Sequence, residues 1–236
     1  MRLRLVPGFT NTARSWEPVE RALPAEWDVQ AIDVPDGLDF VGTADALAHK
    51  GGSATWVGYS MGARLSLRLA LDNPTFVAAL VLVSGSPGIE SAGARETRLA
   101  ADERQAQELE RDGVDAFLER WLAQRLFETL PREVAMLDDR RRGNSVRRLA
   151  HQLRVLGPGA QEPLWDRLPE LGMPVLLVAG GYDRTYSDVA HRMASAIGGN
   201  AEVAVLPRAG HALHLEQPME LAQLLASWAT TLGLTE

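Results

Sequence analysis

Short runs of apolar and β-branched residues recur along the chain, separated by stretches whose apolar positions fall three and four residues apart. The runs Leu3–Val6, Asp28–Ile32, Thr55–Gly58, Ala79–Val83, Val175–Ala179 and Glu202–Val205 read as strands. Between them the spacing predicts helices over Ser15–Leu23, Thr43–His49, Met61–Asp72, Ser187–Ile197 and Met219–Leu232, with Pro74 stopping one and Pro218 starting another. Strand and helix in alternation mean an α/β fold, a mainly parallel sheet with helices on both faces. From Ile89 to about Pro163 the alternation stops, and Arg, Glu, Ala and Leu dominate. Leu99, Ala100, Ala106 and Leu109, then Ala116, Phe117, Trp121 and Leu122, recur at helical spacing there. A helical insertion placed after a strand ending near Ser84 is expected as a cap over the carboxyl ends of the strands, where open α/β sheets bind ligands. The reading is one domain, 1–236, with the cap at about 89–163.

Composition narrows the partners. With 46% hydrophobic residues the chain can bury a sizeable core, and with no cysteine it has no disulfide, thiolate metal ligand or cysteine nucleophile. No metal site is expected. The amino terminus lacks the apolar region of a secretory signal, and no apolar run approaches the roughly 18 residues of a membrane span, so a cytoplasmic protein without a membrane partner is expected. A net charge of −7 disfavours nucleic acid, whose non-specific binding depends on basic residues. Lys50 is the single lysine, against 23 arginines, a bias more in keeping with GC-rich coding than with anion recognition.

The chemistry begins at Gly58-Tyr59-Ser60-Met61-Gly62. This matches the G-x-S-x-G elbow, in which small flanking residues let a serine occupy a strained turn between strand and helix, and its place between a predicted strand and helix points to the α/β-hydrolase fold. A serine hydroxyl needs an imidazole to take its proton and a carboxylate to orient that imidazole, in the chain order Ser, Asp or Glu, His. Asp183 follows the predicted strand Val175–Ala179 and His211 follows Glu202–Val205, both just past strand ends. Among the other histidines, His49 and His191 fall on helices, His151 in the insertion and His214 towards the last helix. Asp188, the nearest rival acid, is read as a helix cap. Backbone donors for an oxyanion are expected from Met61, after the serine, and from Phe9 in the early loop Pro7-Gly8-Phe9-Thr10.

With these motifs, Ser84-Gly85-Ser86-Pro87-Gly88, Trp121-Leu122-Ala123-Gln124-Arg125-Leu126-Phe127 and Leu164-Trp165-Asp166, the chain resembles, nearly end to end, the 2-succinyl-6-hydroxy-2,4-cyclohexadiene-1-carboxylate synthases of menaquinone biosynthesis. The resemblance implies elimination of pyruvate from an enolpyruvyl cyclohexene carboxylate without a cofactor. The serine, histidine and aspartate would then abstract a ring proton. It also implies a small anionic substrate held by arginines, which bond carboxylates bidentately. By motif these are Arg64, Arg98 and Arg142, joined by Tyr59 and Trp121, although Arg95, Arg140 and Arg141 stand close enough to take the place of the cap arginines. Three positions depart from the family: Pro7 where it has His, Arg125 where it has Pro, and Ala63 where it has Gly. Arg125 would bring a new charge beside the pocket, and Ala63 would affect helix packing.

The competing readings are an ester or thioester hydrolase, which would need an apolar acyl pocket, and a binder that keeps the fold without its chemistry. Oligomeric state is not legible in the sequence.

Overall fold

The runs read as strands pair into one parallel sheet in the computed structural model, which describes residues 1–234. They are β1 (Arg2–Val6), β2 (Asp28–Ala31), β3 (Ala54–Tyr59), β4 (Val77–Val83), β5 (Val175–Gly180) and β6 (Ala201–Leu206), in the order β2-β1-β3-β4-β5-β6. Every residue of β3 and β5 is buried, because helices cover both faces, and this is why they read as continuous apolar runs. The helices are α1 (Glu17–Glu20), α2 (Phe40–Gly51), α3 (Met61–Asp72), α4 (Ala92–Leu122), α5 (Leu137–Gly143), α6 (Val146–Val155), α7 (Arg184–Ile197), α8 (Leu213–Glu216) and α9 (Pro218–Thr231).

Alternate strand residues feed two cores. Leu3, Leu5, Val57, Val81 and Val83 pack with Val19 of α1 and Leu225 and Trp228 of α9. Trp56, Leu80 and Leu82 pack with Leu47 of α2, Leu65 and Leu69 of α3 and Met193 of α7. The stretch between β4 and β5 is helical and carries no strand. Its Phe117, Leu118, Trp121, Leu149 and Leu153 belong to the first core, so the helices above the strand ends share apolar packing with the sheet.

Local differences from the sequence reading have local causes. The helix expected over Ser15–Leu23 is a 3-10 turn, Ala13–Trp16, followed by the single turn α1, with Pro18 in its first positions. The helix α4 is two segments broken at Gly113, whose φ of 82° and ψ of 174° suit only glycine. Leu99, expected in an apolar stripe, is 44% exposed, whereas Ala106 and Leu109 on the same helix are fully buried. The helix expected from Ser187 begins at Arg184, capped by Asp183, so Asp188 is not a cap but an exposed residue within it.

Candidate active site

The elbow is built by steric exclusion. Ser60 stands between β3 and α3 at φ 51° and ψ −108°, a conformation that costs a non-glycine residue about 1–3 kcal/mol. A Cβ on Gly58 would lie 2.3 Å from the Gly62 carbonyl oxygen, and one on Gly62 would lie 2.2 Å from that of Val6. Both flanking glycines are therefore required for α3 to leave the strand so sharply.

Three side chains from three loops meet there. The His211 Nε2 lies 3.1 Å from Ser60 Oγ, and its Nδ1 lies 2.7 Å from Asp183 Oδ2. The other Asp183 oxygen accepts the Tyr186 amide at 3.2 Å, so one carboxylate orients the imidazole and caps α7. The histidine and aspartate side chains are only 1% and 8% exposed, which removes competing water from the bond between them. Such a chain can carry a proton from the serine to the imidazole while the carboxylate stabilises the imidazolium.

The histidine loop is held by contacts that no motif announced. Glu216 accepts the amides of Gly210 at 2.8 Å and Ala212 at 3.1 Å, one on each side of His211. Ser84, at φ 49°, donates its hydroxyl to the His211 carbonyl at 2.9 Å. The signal for Glu216 was present as a carboxylate five residues beyond the histidine, but only the fold shows it turning back. His214 is fully buried, has no hydrogen-bond partner on either nitrogen among the described residues, and lies 4.0 Å from the Tyr59 ring between centroids. His49 and His191 are exposed, and His151 bonds the Leu38 carbonyl at the surface.

Phe9 and Met61 both line the cavity over Ser60. Neither amide is drawn into the backbone bonds of the loops and turns, which leaves both as donors for a developing negative charge. The loop is pinned from the cap: Arg140 of α5 donates to Thr10 Oγ1 and, at 2.8 Å, to the Ala135 carbonyl, while Asn144 donates to the Thr10 carbonyl at 2.8 Å. Pro7 supplies no N–H, and the loop takes its shape from these bonds and from Gly8, where a Cβ would lie 2.7 Å from the Tyr59 ring.

The cavity encloses about 300 Å³ between the strand ends and the helices above them. Tyr59, Arg64, Arg98 and Trp121 all line it. Arg64 is 7% exposed and donates to Gln161 Oε1 and to the Leu156 carbonyl, both at 2.7 Å. No carboxylate pairs with it among the described residues, and burial pushes its pKa down to about 10, which leaves it charged at neutral pH. Arg98 differs, because its Nε donates at 2.8 Å to Asp102, a fully buried carboxylate.

One expectation is corrected. Arg142 is exposed at the end of α5 and does not line the cavity. Consecutive helical residues point about 100° apart, so of the three neighbouring arginines Arg140 is buried, Arg141 pairs with Asp115, Glu119 and Asp138, and Arg142 faces outwards. Arg125 is exposed and lines an outer cleft with His211 and Asp183, beside the inner cavity that its neighbours Gln124 and Leu126 line. Ala63 does affect packing, since its methyl fills the position where a Cβ on Gly85 would come within 2.7 Å. Among the described residues no group of three His, Asp or Glu side chains gathers as a metal site.

A six-stranded parallel sheet with a serine elbow at the end of β3 defines a class, and the sequence agrees: the profile of the alpha/beta hydrolase family matches residues 5–224, and the chain belongs to that family. Within it, a 2-succinyl-6-hydroxy-2,4-cyclohexadiene-1-carboxylate synthase from Serratia proteamaculans (strain 568) is 26% identical, over 96% of this chain and 92% of that protein. A Bacillus subtilis (strain 168) protein that carries the same name provisionally is 31% identical, over 95% of this chain and 89% of its own length. The structure of MenH from S. aureus superposes with a TM-score of 0.90 at 27% identity, covering 98% of this chain and 94% of that one. A thermophilic esterase from Thermogutta terrifontis, at 24% identity and a TM-score of 0.77 over 98% of this chain and 90% of that one, shares the fold.

Proposed function

We propose that this protein is a cytoplasmic lyase that eliminates pyruvate from 2-succinyl-5-enolpyruvyl-6-hydroxy-3-cyclohexene-1-carboxylate, with Ser60, His211 and Asp183 as its acid–base machinery. Going from a 3-ene to a 2,4-diene fixes the bookkeeping of bonds. The C2–H bond breaks, C2=C3 forms, C3=C4 shifts to C4=C5, and the C5–O bond breaks to release the enolate of pyruvate. His211 takes the Ser60 proton, the alkoxide takes the C2 proton, and the imidazolium, steadied by Asp183, returns a proton to the departing enolate. The C2 proton lies beside the succinyl carbonyl, so charge developing on that oxygen is what the Phe9 and Met61 amides would meet.

The observation that carries this reading is Arg64: a charged, buried guanidinium without a carboxylate partner, on the wall of the same cavity as Ser60. That charge favours an anionic substrate over a simple apolar acyl ester, although the apolar wall formed by Phe9, Trp121 and Phe127 keeps an ester hydrolase as the second reading. Purified protein is to be incubated with the enolpyruvyl substrate and, separately, with short-chain aryl esters, alongside Ser60→Ala. Rapid pyruvate release that disappears in the variant supports the lyase; fast ester turnover without pyruvate replaces it with the hydrolase.

A further inference from the structure

Tyr186 enters the site from the first turn of α7, in a segment that carries no sequence motif. Its amide donates to Asp183, its ring centroid is 4.5 Å from that of His211, and it lines the cavity together with Ser60, Arg64 and Arg98. A phenylalanine would serve equally to pack against the imidazole, so the hydroxyl is the part that packing leaves unexplained. Among the described residues it makes no hydrogen bond, yet it is not one of the enclosed polar atoms left without a partner, so it opens on the cavity. Burial raises its pKa, and the phenol therefore stays an O–H donor throughout the working range.

Arg64 is the natural partner in this task. A guanidinium has five N–H donors, and Gln161 and Leu156 occupy two of them here. An anionic oxygen placed against the remainder has the neutral phenol as a second donor on the side of His211. We infer that Tyr186 Oη and Arg64 together bind a carboxylate of the substrate, the one on the ring carbon next to the carbon that loses its proton, which makes Tyr186 a specificity-determining residue. The choice of that carboxylate rests on the proposed lyase reaction, because C1 adjoins C2, Ser60 takes the C2 proton, and Tyr186 lines the same cavity as Ser60 beside His211.

The test is Tyr186→Phe, which removes one oxygen and keeps the ring. In pyruvate release, KM is expected to rise roughly tenfold with kcat little changed, the loss of one hydrogen bond to a charged group. Calorimetric titration with benzoate and with benzamide gives a readout independent of turnover: the variant loses roughly tenfold in affinity for the carboxylate and little for the amide. An unchanged KM and unchanged benzoate binding overturn the inference and leave the lyase standing. A fall in kcat with a displaced pH profile also overturns it, since the phenol would then act through His211. If no pyruvate is released by either protein but the benzoate preference still depends on Tyr186, the lyase reading fails and the carboxylate site survives.

Discussion

Arg64 shows how much one side chain can decide. Its charge sits in a wall where, among the described residues, its hydrogen-bond partners are an amide oxygen and a backbone carbonyl, which leaves donors free for an acceptor from outside the chain. Replacing it by methionine keeps the volume and removes the charge, and KM for the enolpyruvyl substrate is expected to rise by about 10–100-fold, the range for hydrogen bonds to ionised groups. Steady-state kinetics beside a thermal melt separates this from unfolding. The resemblance to the synthase family placed Arg64 one helical turn beyond the elbow, and position within a helix is local geometry. It could not choose among Arg140, Arg141 and Arg142, because which of three adjacent helical residues faces inwards depends on how α5 lies on the Phe9–Thr10 loop.

Elements, not single residues, shape the cavity. The break in α4 at Gly113 lets the second segment turn so that Phe117 and Trp121 reach Phe9, with ring centroids 6.1 and 4.9 Å away. Nothing lies within 4 Å of a Cβ built at Gly113, so Gly113→Ala tests conformation without a clash. At that φ and ψ the substitution is expected to destabilise by about 1–3 kcal/mol. It should also raise KM as the helix straightens and withdraws Trp121, which denaturation curves and kinetics on one preparation would show. Periodicity alone could not reveal the break, since glycine is tolerated inside helices and the apolar spacing continues beyond it. Asp39, Ser91 and Ser145 cap α2, α4 and α6 by ordinary local chemistry. The cap of α7 is Asp183 itself, whose two oxygens divide between a helix and a histidine 28 residues away, a double duty that no local rule exposes.

Across the whole molecule, parallel register is what assembles the site. Gly58 of β3 lies opposite Val6 of β1, Tyr59 opposite Val83 of β4, and Gly180 of β5 opposite Leu206 of β6, so the segments after β1, β3, β5 and β6 leave along one edge of the sheet. His214 stands beneath that edge, between Tyr59 and Trp16, with centroids 4.0 and 4.9 Å away, and burial holds its pKa well below the ordinary value. The folded state therefore binds fewer protons there than the unfolded state. Stability contributed by this site is present above the unfolded pKa of about 6.5 and is lost as pH falls towards the folded value, by up to about 1.4 kcal/mol per unit. His214→Phe, which cannot be protonated, should flatten the acid limb of a plot of Tm against pH between 6.5 and 5. By itself the sequence determined the strands, the elbow and the positions of Ser60, Asp183 and His211, because alternation, glycine sterics and strand-end loops act over a few neighbouring residues. The tertiary structure alone decided that Arg64 lacks a carboxylate, that Arg140 turns inwards, that Glu216 braces the histidine loop and that Tyr186 shares the cavity. Each of these depends on surfaces distant in the chain, as when Arg64 meets Gln161 across 97 residues, and such a meeting is fixed by how whole elements pack rather than by any local pattern.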